Sequence, residues 1–130
     1  MTTLASSDLN AGSFTPEQRF AGSTDIINKS ATVASGEGVL VAGTVLGKVT
    51  VGGKLIVCDS GASDGSKVPV AILAEDIDAT SSDIVCQVYV AGEFNVDWLT
   101  FDSSFSTEAL KLAAFPEGST IIVKNPGYSG

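Results

Sequence analysis

Val39-Leu40-Val41-Ala42-Gly43-Thr44-Val45-Leu46-Gly47-Lys48-Val49-Thr50-Val51-Gly52-Gly53-Lys54-Leu55-Ile56-Val57 is the stretch from which the fold class follows. Its apolar residues come in short, β-branched runs: Val39-Leu40-Val41, Thr44-Val45-Leu46, Val49-Thr50-Val51 and Leu55-Ile56-Val57. Glycines punctuate them at Gly43, Gly47, Gly52 and Gly53. Short runs of this composition, bounded by glycine, read as strands. Gly52-Gly53, set between Val51 and Leu55, predicts a two-residue hairpin, because both turn positions need a positive φ.

Working outward, Asp59-Ser60-Gly61-Ala62-Ser63-Asp64-Gly65 is a polar loop between apolar segments, and Val68 to Ala74 is the next strand. Ile84 to Val90 alternates, with Ile84, Val88 and Val90 on one face and Val85, Gln87 and Tyr89 on the other. Ala91-Gly92-Glu93-Phe94 is expected to close that strand or open a bend. The one helical pattern is Ser106 to Phe115, with Ser106 or Thr107 as N-cap, Glu108 in the first turn, and Pro116 and Gly118 as the stop. Thr120 to Lys124 is a last strand before Asn125-Pro126-Gly127 turns the chain. Upstream, residues 1–25 are rich in Ser, Thr, Ala and Gly, with Leu4, Leu9, Phe14 and Phe20 at neither helical nor strand spacing. The sequence thus divides into a flexible N-terminal arm, 1–25, and a single β-rich domain, 26–130. The fold class is mainly β with one short helix.

At 130 residues the chain has room for one domain with its own hydrophobic core. It contains no histidine, and 15 acids against 7 bases give a net charge of -8. Without histidine, a Ser-His-Asp or Cys-His nucleophile, a histidine-bearing zinc site and a histidine-ligated haem are all excluded. The acidic balance argues against nucleic acid as a partner, since phosphate recognition needs clustered Lys and Arg. The acids lie mostly after residue 74: nine against two bases there, six against five before it. That excess suits a solvated, outward face. The first residues carry neither a basic nor an apolar leader segment, and no apolar run approaches a membrane span, so a membrane partner is not expected. Cys58 and Cys86 each stand in an alternating apolar segment and read as buried thiols.

Three motifs imitate chemistry. Gly61-Ala62-Ser63-Asp64-Gly65 matches the G-x-S-x-G elbow, but its flanks read as strands and no histidine exists to take the serine proton. The same loop places Asp64-Gly65 as a calcium loop would, yet Ser60, Ala62 and Ala71 fall at positions that need ligands. Gly43 to Val49 is one residue short of a phosphate-binding loop and lacks its Ser/Thr. Carboxylates at Glu75, Asp76, Asp78, Glu93 and Asp97 are the remaining enzyme-like material, and with one Trp and two Tyr the sugar platform such chemistry uses is thin. No catalytic, cofactor-binding or metal-ligating residue is expected, and no cofactor.

Gly53-Lys54-Leu55-Ile56-Val57-Cys58-Asp59, then Asp64-Gly65, then Val68-Pro69-Val70-Ala71-Ile72-Leu73-Ala74, resembles the bacteriophage head decoration proteins of the lambda protein D type. Ser81 to Phe94, with Val88-Tyr89 and Gly92-Glu93-Phe94, continues the likeness, which covers residues 43–94 and extends more loosely over Asp97-Trp98-Leu99 and the helix. The chain departs from the pattern at Pro69, which predicts an edge strand. It departs also in a longer segment from Ile26 to Val41 and in an extended tail.

The resemblance implies a β-clip-like decoration fold and a structural virion protein, not an enzyme. It implies a homotrimer on the outer surface of the expanded capsid, at threefold and quasi-threefold sites, that stabilises the head against internal DNA pressure. The major capsid protein is then the partner, met by the arm through Leu4, Leu9, Phe14 and Phe20. Synthesis in the host cytoplasm follows from the same picture. Two other readings stay open on the residues: a fibre or spike adhesion module, and a histidine-free hydrolase using paired carboxylates.

Overall fold

The computed structural model describes residues 26–125, as eight strands and one helix. The strands are β1 (Ile27–Val33), β2 (Gly38–Leu40), β3 (Val45–Lys48), β4 (Leu55–Val57), β5 (Pro69–Leu73), β6 (Ile77–Ala79), β7 (Ile84–Asn95) and β8 (Ile121–Lys124). The helix, α1, is Glu108–Leu112. The main sheet runs β1-β4-β3-β5-β7-β8, and a further pairing of β1 with β7 closes β1, β4, β3, β5 and β7 into a ring. β2 and β6 form a small separate sheet. The molecule is mainly β with one short helix, the strands making a small barrel-like sheet.

Strand alternation divides the apolar residues into two cores. Leu46 lies opposite both Val57 and Ala71, and Leu73 opposite Val88; these point inward with Val33, Leu55 and Cys86. The neighbouring register positions, Val45 opposite Ile72 and Ile72 opposite Tyr89, point outward. There they meet Phe94, Val96, Leu99, Phe105, Phe115, Ile121 and Val123 from the C-terminal third of the chain. A period of two, carried on one sheet, thus serves the barrel interior and an outer core at once. β7 is the shared wall. Its twelve residues send Cys86 and Val88 inward, while Tyr89 and Phe94 pack on the outer core with ring centroids 5.4 Å apart.

Four sequence expectations are corrected here. Val49-Thr50-Val51 is not a strand: Thr50 N–H donates to the Asp64 carbonyl (2.9 Å), which draws it off the ladder, and Val51 is 86% exposed. The hairpin closes instead at Val49 N–H to Lys54 O (2.9 Å), with the turn over Thr50–Gly53 and both Gly52 and Gly53 at positive φ. β5 is an interior strand between β3 and β7, not an edge. Pro69 is tolerated because it is the strand's first residue, opposite Gly47, where the register with β3 shifts. The strand from Ile84 does not close at Ala91: Gly92, at φ +140, carries it through to Asn95. Finally, the helix is shorter than Ser106–Phe115. Thr107 caps it by accepting from Leu110 N–H (3.2 Å), and Phe115 turns away into the outer core.

Candidate functional site

Leu4, Leu9, Phe14 and Phe20, the expected partner-binding residues, lie outside the described residues. The structure does place the point at which that segment joins the fold. Ile27 stands opposite Ala91, and a Cβ at Gly92 would meet Ile26 Cγ1 at 3.1 Å, so the chain enters along β7 with both isoleucines about half exposed.

Four of the five carboxylates of the enzyme-like reading are aimed at backbone amides or a lysine; of Asp97 it is the backbone N–H that is tied, donating to Asn95 Oδ1 (2.9 Å). Glu75 accepts from Gln87 N–H (2.9 Å), Asp76 from Ala42 N–H (2.8 Å) and Asp78 from Thr80 N–H (3.0 Å). Glu93 faces Lys124 Nζ at 3.3 Å. Asp64 takes hydrogen bonds from the Ser66 hydroxyl and amide, which hold its carboxyl below the usual range. Each accepting acid closes a turn or ties two strands, as short acidic side chains do in loops. The Gly61–Gly65 segment joins β4 to β5, strand to strand, and no helix follows it. Among the described residues no group of three His, Cys, Asp or Glu is placed to hold a metal ion.

Cys58 and Cys86 are free and buried, Cys58 in the outer core and Cys86 in the barrel. Burial, then the charges of Asp59 and Asp102, push the Cys58 thiol up to about 11, and burial also raises Cys86. Since the thiolate is the nucleophile, burial and the raised pKa both disfavour reaction at either thiol.

Two open places on the surface offer room for a partner. One is an opening in the ring. β1 reaches β4 only through Val33, opposite Leu55, where Ala34 N–H donates to Leu55 O (2.9 Å) and Lys54 pairs with Asp83 (2.6 Å). From there β1 and the β3–β4 turn diverge, leaving a hollow of about 540 Å³ between them. Ala31, Leu55, Ala71 and Val88 floor it; Lys29, Lys48 and Lys54 rim it. Lys29 stands opposite Val88 and Lys48 opposite Leu55, so both occupy inward-facing register positions. Their stems cover apolar surface while the ammonium groups reach water. Neither has a carboxylate within ion-pair distance among the described residues.

The other is an apolar face. α1 buries none of its residues, leaving Leu110 47% and Leu112 38% exposed, and Ile122 of β8 is 40% exposed. Leu112 and Ile122 line a shallow cleft with Phe115 and Pro116. Sequence reading missed both places. Leu110 and Leu112 carry a faint signal, since a single helical turn cannot turn two residues at that spacing to the same core. The lysines carry none, because Lys29 meets the hairpin lysines Lys48 and Lys54 only when the ring closes.

The model of the family described as bacteriophage lambda head decoration protein D matches residues 14–121. The match takes in Phe14 and Phe20 and leaves out Leu4 and Leu9. No individual curated protein matches the chain.

Proposed function

The chain belongs to the bacteriophage lambda head decoration protein D family, a family of structural capsid proteins, and from that premise we propose how it acts. It binds the outer surface of the expanded head as a homotrimer, at threefold and quasi-threefold sites, and holds the shell against the pressure of packaged DNA. The major capsid protein is its partner, and the chain is made in the host cytoplasm before it joins the virion. The family match over residues 14–121 is the observation that carries this reading.

The physics of such a role is linkage. A protein that binds only the expanded lattice lowers the free energy of that state by mass action, and three arms on one trimer bind with avidity. Residues 1–25 act as those arms. Burying Leu4, Leu9, Phe14 or Phe20 against the shell contributes roughly 1.5–3 kcal/mol each. The exposed apolar face of Leu110, Leu112 and Ile122 supports contact between copies.

The test is sedimentation of the full chain with purified heads. The trimer pellets with expanded heads and stays in solution with unexpanded ones, and deleting residues 2–20 abolishes pelleting. Undiminished pelleting by the shortened chain would remove the arm from the mechanism.

A further inference from the structure

We infer that the opening between β1 and the β3–β4 turn receives an extended, acidic segment of the shell protein, which adds as a strand to the edge of β1 that no described strand covers. This rests on the reading that the chain binds the shell. Among the described residues, all of β1 pairs with β7 on one side, but only Val33 pairs with β4 on the other. From Ile27 to Thr32 no described strand lies beside that second edge. A ring of strands normally abolishes edges, and a bare one is a template for another chain.

The hollow has the shape and chemistry of a strand site. About six extended residues span the open edge at roughly 3.3 Å each, with alternate side chains turned inward. The closed end of the barrel is filled by Val33, Leu46 and Leu73, whereas at the open end Leu55 and Val88 are flanked by the small side chains of Ala31 and Ala71. Apolar side chains from an added strand fill that space. Charge selects the occupant further. Lys29, Lys48 and Lys54 gather at this rim in a chain with only 7 basic residues and a net charge of -8. Lys54 is already paired with Asp83, which leaves Lys29 and Lys48 without an ion pair among the described residues. A segment alternating apolar residues with Asp or Glu satisfies floor and rim together. A nucleic-acid strand would meet the lysines but also the repulsion of the whole chain, and has no side chains for the floor.

The experiment uses the full chain bound to expanded heads. Carbodiimide joins a lysine to a carboxylate in direct contact, and mass spectrometry of the digested complex identifies the partners. Lys29 or Lys48 coupled to Asp or Glu of the shell protein is the expected result. Coupling to Asp8, Glu17 or Asp25 of this chain instead, or no coupling at either lysine, overturns the proposal. In parallel, Lys29→Gln with Lys48→Gln removes both charges while keeping part of each stem over the floor, and should weaken pelleting about tenfold, with a shallower salt dependence. Lys67→Gln, in the polar loop, should change neither. If the double variant binds like the parent, the strand site is wrong while decoration stands; if the parent itself does not pellet, decoration falls as well.

Discussion

Gly47 sets how closely β3 approaches the loop that leads into β5. A Cβ there would run into the backbone carbonyl of Ser66, a fully buried residue fixed by Asp64. Gly36, by contrast, has φ +93 but open space where a Cβ would stand. Gly47→Ala should therefore cost about 2–3 kcal/mol through steric displacement of backbone, and Gly36→Ala about 1 kcal/mol through its φ alone. Urea unfolding of both variants measures the difference. The thiols give a second check. Burial raises both, so folded protein should resist a thiol reagent at pH 8, and react at Cys58 and Cys86 only once unfolded. The raised thiol of Cys58 favours the folded state below the ordinary thiol range, an advantage lost as pH rises through about 11. The buried cysteines were legible, because alternation placed them among apolar neighbours. The constraint on Gly47 was not, since its cause lies in a loop beyond the next strand.

Among the elements, β7 and α1 show what local signals do and do not reveal. The helix start was readable: Thr107 does cap Leu110, and Thr107→Ala should lower stability by about 1 kcal/mol. Phe94→Ala should cost about 3–5 kcal/mol, because Phe94 is fully buried and anchors β7 to the outer core. Thermal or urea unfolding checks both. β1 was harder to see. Ile27-Asn28-Lys29-Ser30-Ala31-Thr32-Val33 is half polar and mostly exposed, and only its long-range pairing with β7 makes it a strand. β6 is three residues long, too short to show a period. Pro69 misled for a physical reason as well: a proline without an N–H fits an interior strand when it stands at the first residue beside a register shift.

For the molecule as a whole, charge sets the behaviour in acid. Hydrogen bonds from Ser66, from Thr80 and from Lys54 hold Asp64, Asp78 and Asp83 below the ordinary carboxylate range. A depressed carboxyl stabilises the fold above its unfolded value, and that contribution is lost as pH falls through the folded one. The melting temperature should therefore be flat from pH 7 to about 5 and decline below about pH 4, less steeply in Asp83→Asn; scanning calorimetry across that range tests it. The fold class and family were legible at this scale, since glycine-bounded runs and their order survive in the sequence. The ring's opening was not, because Lys29 lies far along the chain from Lys48 and Lys54, which share the β3–β4 hairpin. The pairing of β7 carries one more consequence. β1 runs against it from Ala91, and β8 runs with it to Asn95, so the two ends of the described chain leave the domain in the same direction. Between Ala91 and Asn95 lies roughly 13 Å of strand. A linker of about eight flexible residues could join Lys124 to Ile26, and new termini could open in the Asp59–Gly65 loop. For an engineer who wants cargo on a particle, the topology gives a rule: anything fused after the last strand starts on the side where the chain enters β1, while cargo meant for the opposite side belongs on a rearranged chain.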